Sequence, residues 1–401
     1  MWRVSSFMFL LGRLAMPWIR RGCHGTRHSS FAEAWSRRLR QKLSKLGSNV
    51  VRAGVVREIG VDIAKGVAIF LVVCLHVNDW GFSYSGNSPW LLLSRRAVHD
   101  FSYICVDLFA LATGYLCIEA RHRYSRLAEH WVVVVFWGCV MTLVGGIVTW
   151  HLPSFLQAVS PLLPILRDQY WYFTAYFYLF FIMPVLNEGL RPADKKSHMI
   201  LLGAIGLFVC VYSTLPSGGD TLSLYRGYSV IWLTTVYVVG GQLRILWKGQ
   251  LPTWSLIFGV VGFWGVTIAL QYALPAKLSV AVCGYTSPLT FGMAILVFLL
   301  CLRVPVKGIR VRRFVETLSL CSFGIYLIHV QPYFWVNVWK RYLANVHLTS
   351  CVEHLVLTFS LSVVFTMVFM FMEWSRQQLF RCIGIRRCLE SLFAKIARNL
   401  E

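Results

Sequence analysis

This 401-residue chain is poor in acid: 17 Asp and Glu stand against 39 Lys and Arg, and charged residues of all kinds make up 14%. Soluble domains carry about 25% charged residues, so a water-surrounded globule is excluded. The twelve cysteines contain no CxxC pair and no Cys/His cluster at metal-ligand spacing, which leaves them as small apolar packing residues and predicts neither a metal nor a redox centre. Ser5 to Ile19 is moderately apolar, but Arg13 interrupts it and no A-x-A-like cleavage site follows, so a signal peptide is not expected. What is plentiful is hydrophobic residues, at 57%. They gather in runs near the length that crosses about 30 Å of hydrocarbon.

Ten such runs are legible, near 60–78, 101–118, 131–150, 171–188, 199–214, 229–247, 253–273, 288–302, 317–338 and 354–374. The net charge of +22 is distributed for a membrane rather than for nucleic acid. On one side of these runs, counting the N-terminal tail and every second connection, fall 31 of the Lys and Arg; the alternate connections hold seven, and Lys65 lies inside the first run. The positive-inside rule then places both termini in the cytoplasm. The expected fold class is all-α, a polytopic membrane protein with about ten transmembrane helices. Three regions follow: a basic, partly amphipathic tail over 1–56, a ten-span domain over 57–375 and a basic tail over 376–401.

In the first tail, Phe31, Trp35, Leu39, Leu43 and Leu46 recur every three or four residues opposite Arg37, Arg38, Arg40, Lys42 and Lys45. That is a basic amphipathic helix suited to an anionic leaflet. The alternative is a dispensable tail, or residues ahead of the working start codon. Neither makes it the catalytic unit.

The best lead is the first run, DIAKGVAIFLVVCLH, in which ten uncharged residues separate Lys65 from His76. Eleven residues at 100° each make three turns plus about 20°, so both side chains lie on one helix face, roughly 16 Å apart. Ionisable groups in an apolar segment are expensive and usually mark a pathway or a reaction site. Asp62, three residues before Lys65, is placed to pair with it. Taken singly, Lys65 reads as a snorkelling side chain and His76 as a helix-end residue; their spacing argues for function. The second run holds Asp107, a buried carboxylate that either partners His76 or Lys65 or is a hydrogen-bonded structural acid, then Thr113-Gly114, which lets backbones approach closely, and Tyr115 among aromatic flanks. Arg121, Arg123 and Arg126 follow at once; topology alone explains them, and guanidinium forks there would also suit a phosphate-rich ligand. The ninth run carries SFGIYLIH, with His329 about halfway across and Tyr326 one turn earlier on the same face. His329 reads equally as a helix–helix hydrogen-bonding residue. Trp171, Tyr172 and Tyr176 open the fourth run, either as an interfacial aromatic belt or as a stacking surface for a sugar.

Together these residues resemble the acyltransferase 3 family of integral membrane acyltransferases. Its hallmark is a basic residue, ten residues, then His, as in Lys65-x10-His76, with lysine here where arginine is commoner. Phe109 to Tyr115 is similar to the F-F-x-x-S-G-Y/F segment, with Thr113 for serine; Arg123-x2-Arg126 falls where the family has a basic RxxR-like loop, and SFGIYLIH matches its late-span signature. The likeness covers roughly 57–375 and is closest to short members that acetylate surface glycans, such as the enterobacterial common antigen O-acetyltransferase. About 25 residues follow the last run, so an appended SGNH esterase-like domain is not expected.

The resemblance implies a multi-pass protein of the bacterial inner membrane, with membrane lipids around it and no nucleic acid partner. It implies a cytoplasmic acyl-CoA donor, chiefly acetyl-CoA, no bound cofactor, and a glycan or lipid-linked saccharide hydroxyl as acceptor. Lys65, Arg123 and Arg126 would hold the CoA end. His76 would be general base or transient acyl carrier, its near-neutral pKa suiting either role. Asp62 or Asp107 would orient it or balance charge, with Tyr115, Tyr326, His329 and Trp171 on the substrate side. Two rivals remain open. A secondary transporter or flippase also uses buried charges and broken helices, although no inverted repeat is visible. A non-catalytic membrane partner that keeps the fold is the other.

Overall fold

The computed structural model describes residues 57–84, 88–215, 220, 222–343 and 345–400. The expected tail of residues 1–56 lies outside them. Among the described residues the chain is almost wholly helical; the strand content is a two-residue parallel pairing of Ser83–Tyr84 with His347–Leu348.

Each of the ten apolar runs lies on a helix. Seven helices are long and apolar enough to cross a bilayer: α1 (Ile59–Trp80), the pair α2 (Pro89–Ser102) and α3 (Cys105–Cys117) taken as one, α4 (Tyr124–Thr149), α5 (Trp171–Leu190), α6 (Lys195–Thr214), α8 (Thr253–Ala273) and α11 (Cys351–Ile383). An eighth forms if α10 (Ile309–His329) is joined to the Pro332–Trp339 segment beyond its bend. The remaining two, α7 (Val230–Leu246) and α9 (Pro288–Arg303), are apolar but shorter. A final helix, α12 (Ile385–Leu400), follows Gly384, whose φ of 79° ends α11 in the left-handed region.

Lipid-facing and protein-facing helices separate by burial. The apolar window of α1 is 67% buried, against 17% for α8 and 22% for α11. Exposed Phe258 on α8 and Val363, Val364 and Phe371 on α11 have apolar surface that water would not tolerate but hydrocarbon does. α1 is as buried as the α2–α3 pair and packs against α2, α3, α9, α10 and α11, which makes it the central helix. The Thr113-Gly114 expectation holds in detail: a Cβ on Gly114 would collide with the Tyr237 carbonyl of α7, and one on Gly240 with the Leu111 carbonyl of α3. Only hydrogen side chains allow these two backbones to touch.

Two runs differ from their sequence outlines. The second helix starts twelve residues early, at Pro89, and breaks at Tyr103 and Ile104. Arg95 and Arg96, which the hydropathy pattern assigns to a connection, are within α2; their guanidiniums lie 3.5 Å from the Tyr84 ring centre and 4.4 Å from that of Tyr272. Aromatic faces accommodate charge that a hydropathy window scores as a loop. The ninth run is not one straight span. α10 ends at His329, and the chain bends by 57° before Pro332, with Gln331 Oε1 accepting from the Phe334 amide at 2.7 Å. Pro332 disfavours helix in the residue before it, so His329 sits at a helix end rather than halfway along.

A buried ion pair within α11 bonds to α4 and packs against α10. Arg376 donates to both oxygens of Glu373, at 2.6 and 2.9 Å, and Trp137 Nε1 donates to Glu373 at 2.7 Å. The carboxyl fits because residue 324 has no side chain; a Cβ there would overlap the Glu373 carboxylate. That is the structural reason for glycine in SFGIYLIH.

Candidate active site

A cavity of about 510 Å³ runs alongside α1. Of the residues singled out in the sequence it brings together Lys65, His76, Thr113, Arg126, Trp171, Tyr172, Tyr176 and Tyr326. The helix between Lys65 and His76 holds them roughly 16 Å apart along the cavity wall. One end is cationic, with Lys65 on α1 and Arg126 followed one turn later by His130 on α4. The other end is aromatic and acid–base in character, with His76 and Asp79 on α1, His99 on α2, and Trp171, Tyr228 and Tyr285 around them.

His329 does not line the cavity but sits directly behind His76. Its Nδ1 is 2.8 Å from the Ile325 carbonyl oxygen, where it can only donate. In the neutral ring, His329 Nε2 is then unprotonated and accepts. His76 Nδ1, 3.0 Å away, is the donor in that contact. The proton assignment follows from the hydrogen-bond chain. It leaves the lone pair of His76 on Nε2, the nitrogen a general base needs. Trp335, just past the bend after α10, meets the His76 ring edge-on at 5.3 Å. The bend thus delivers both the histidine that orients His76 and the indole that packs it.

The other sequence candidates lie apart from the cavity. Asp107 is fully buried and accepts from Trp232 Nε1 at 2.9 Å. Asp62 accepts from Ser319 Oγ at 2.6 Å, joining α1 to α10. Tyr115 packs edge-on against Phe298 and under Arg244, which also pairs with Glu58 and Glu119. Arg123 is exposed at the N-cap of α4. In the connection before α4, partial burial and the nearby Arg126 hold His122 below its ordinary pKa, keeping that ring neutral beside the arginines at neutral pH.

Among the acids and histidines of the cavity, three are not singled out by the sequence pattern, and neither are the aromatic Tyr228 and Tyr285. His130 is four residues after Arg126, a same-face spacing legible in the sequence. Asp79 is three after His76 and could have been noticed the same way. His99 precedes the second apolar run, which begins near 101, and lies within α2. Its Nδ1 is 2.9 and 3.1 Å from the two Asp79 oxygens, and Asp79 also accepts from Asn78 Nδ2 at 2.7 Å. Asn78 Oδ1 in turn accepts from His354 Nε2 of α11 at 2.8 Å. This relay joins α1, α2 and α11, and only the tertiary structure assembles it. Asp79→Asn is expected to lower stability by about 1–3 kcal/mol, since a charge-assisted bond to His99 is lost; an unchanged thermal midpoint in detergent would count against the relay. The side chains among the described residues that could hold a cation are His99, Asp100 and Cys283, whose donor atoms lie within 4.8 Å of one another. As they stand, His99 is held by Asp79, and Asp100 accepts from Gln271 at 2.6 Å.

The fold and cavity define a multi-pass membrane protein with an internal site built from a basic and an acid–base end. The family model described as an acyltransferase domain, that of acyltransferase 3, matches residues 58–372. The chain therefore belongs to this family of membrane acyltransferases. No curated protein and no solved structure gives a match.

Proposed function

We propose that the protein transfers an acyl group, chiefly acetyl, from cytoplasmic acyl-CoA to a hydroxyl of a cell-surface or lipid-linked glycan, as the short glycan O-acetyltransferases of the family do. The observation that carries this reading is one cavity with cations at one end and, about three helical turns away, a histidine whose Nε2 retains its lone pair. Lys65 and Arg126, with Arg123 outside, supply the charge that the CoA phosphates require. The acceptor hydroxyl lies against His76 Nε2, which takes its proton as the oxygen attacks the thioester carbonyl. The carbonyl carbon–sulfur bond breaks, and the CoA thiolate leaves and takes up a proton. Trp171, Tyr228 and Tyr285 offer aromatic faces to a sugar ring. Tyr326 closes the wall between the two ends.

The orientation belongs to the same proposal. Ten spans with both termini in the cytoplasm of a bacterial inner membrane place the Lys65 end at the donor side and His76 toward the acceptor side. The Lys and Arg distribution supports it. α7 and α9, of 17 and 16 residues, reach about 24–26 Å, a mismatch that local bilayer thinning accommodates.

The test uses the purified protein in proteoliposomes with acetyl-CoA outside and a glycan acceptor supplied. Release of free CoA that depends on the acceptor, with acetylated glycan seen by mass spectrometry, is the expected result. Movement of the saccharide without thioester consumption would establish the transporter reading instead.

A further inference from the structure

The cavity leaves the terminal helix α12 without a part in the chemistry, yet its sequence is the most sharply two-faced of the described helices. At 100° per residue, Ile385, Cys388, Leu389, Leu392, Phe393 and Ile396 fall within one arc of about 140°. The protein covers only half of that arc. Ile385, Leu389 and Phe393 are partly buried, whereas Cys388, Leu392 and Ile396 stand one position round and are exposed, Leu392 to 51% and Ile396 to 44%. Arg386 and Lys395 flank that arc, each about 20° beyond its ends, Arg387 lies opposite it, and Glu390 is the single acid of the helix.

Its position along the membrane normal follows from α4. Arg386 Nε lies 3.3 Å from the Glu129 carboxylate and 3.0 Å from that of Glu390. Glu129 is two residues ahead of Trp131, where the apolar run of α4 begins. α12 therefore contacts the protein at the boundary between hydrocarbon and headgroups. A helix with three apolar residues uncovered and bases flanking its apolar arc complements an anionic lipid surface there. Glu129 also sits three residues after Arg126 and one before His130, both of which line the cavity, and it lies in the field of Arg123 and Arg126.

We propose that α12 is an anionic-lipid-binding element: it lies on the headgroups with Cys388, Leu392 and Ile396 in the lipid, and through Arg386 it occupies Glu129, leaving Arg126 to a phosphorylated donor. The second half rests on the acyl-CoA reading; the first does not. When α12 leaves the surface, Glu129 turns its charge on Arg126 and donor affinity falls. Lipid composition thereby regulates the cationic end of the cavity.

The experiment places the full chain, one copy per nanodisc, in neutral phosphatidylcholine or in phosphatidylcholine with phosphatidylglycerol. Amide hydrogen exchange over 385–396 is expected to slow by on the order of tenfold in the anionic discs. Leu392→Glu with Ile396→Glu should remove that protection. Equal exchange in both discs overturns the proposal, as does protection that appears only with two copies per disc, which would make the exposed arc a contact between chains. In the second arm, Arg386→Ala is expected to raise the Michaelis constant for acetyl-CoA about two- to fivefold, the range of a surface ion pair. Adding Glu129→Gln should restore it, because no acid is left to compete for Arg126. A Michaelis constant unmoved by Arg386→Ala removes the coupling. Absence of any acyl-CoA turnover would overturn the activity while the exchange result still decides the lipid contact.

Discussion

Replacing His76 with alanine is expected to lower acyl transfer by about 10²–10⁴-fold, the usual range for loss of a positioned general base. Insertion and folding should survive, because the side chain faces a cavity and its deletion opens no sealed core. The expected companion is His329→Leu, which removes the acceptor of the His76 Nδ1 proton. His76 then divides between tautomers, and part of the population carries its proton on Nε2, where it cannot serve as base. Activity should fall by less than in His76→Ala, and the pH–rate profile should shift, which a purely structural loss would not cause. The readout is acceptor-dependent CoA release from proteoliposomes at matched protein incorporation. Normal turnover by the His76→Ala protein would sink the mechanism.

The second large effect concerns stability and lies away from the cavity. Glu373→Ala is expected to cost about 3–5 kcal/mol, because it leaves the Arg376 guanidinium buried without its counter-charge. Arg376 is only 9% exposed, and the indole of Trp137 loses its acceptor in the same stroke. Replacing both members of the pair by methionine should cost much less, since no uncompensated charge remains and the volume is nearly kept. Gly324→Ala attacks the same point from the facing helix by placing a methyl where the carboxylate sits. The thermal midpoint and monodispersity in detergent measure all three. If Glu373→Ala matched the double replacement, an uncompensated Arg376 charge would not be the source of the loss.

How much of this was legible beforehand differs from helix to helix. The ten apolar runs were readable because apolar residues gather over lengths near that of a bilayer crossing, about 20 residues, a pattern local to each segment. Lys65-x10-His76 was readable because helical periodicity alone puts both residues on one face. The outline of α2 was not, since Arg95 and Arg96 lower the local hydropathy and only their packing on Tyr84 and Tyr272 shows that they belong to a helix. The partners of the acids were equally out of reach. Asp107 had been open to His76 or Lys65 on sequence grounds, and its hydrogen bond goes to Trp232, which is 125 residues distant.

The sequence by itself determined that this is a helical membrane protein, where its apolar runs lie, and that a lysine and a histidine share one face of the first. Those properties depend on residues within about three turns of one another, where the geometry of a single helix decides. Only the tertiary structure decided which nitrogen of His76 keeps its lone pair, that Asp79, His99 and His130 join the cavity, and that Gly324 makes room for Glu373. Each of those depends on atoms from different helices meeting within hydrogen-bond distance. Such contacts are set by helix crossing and by the bend before Pro332, and no periodicity along one segment records them.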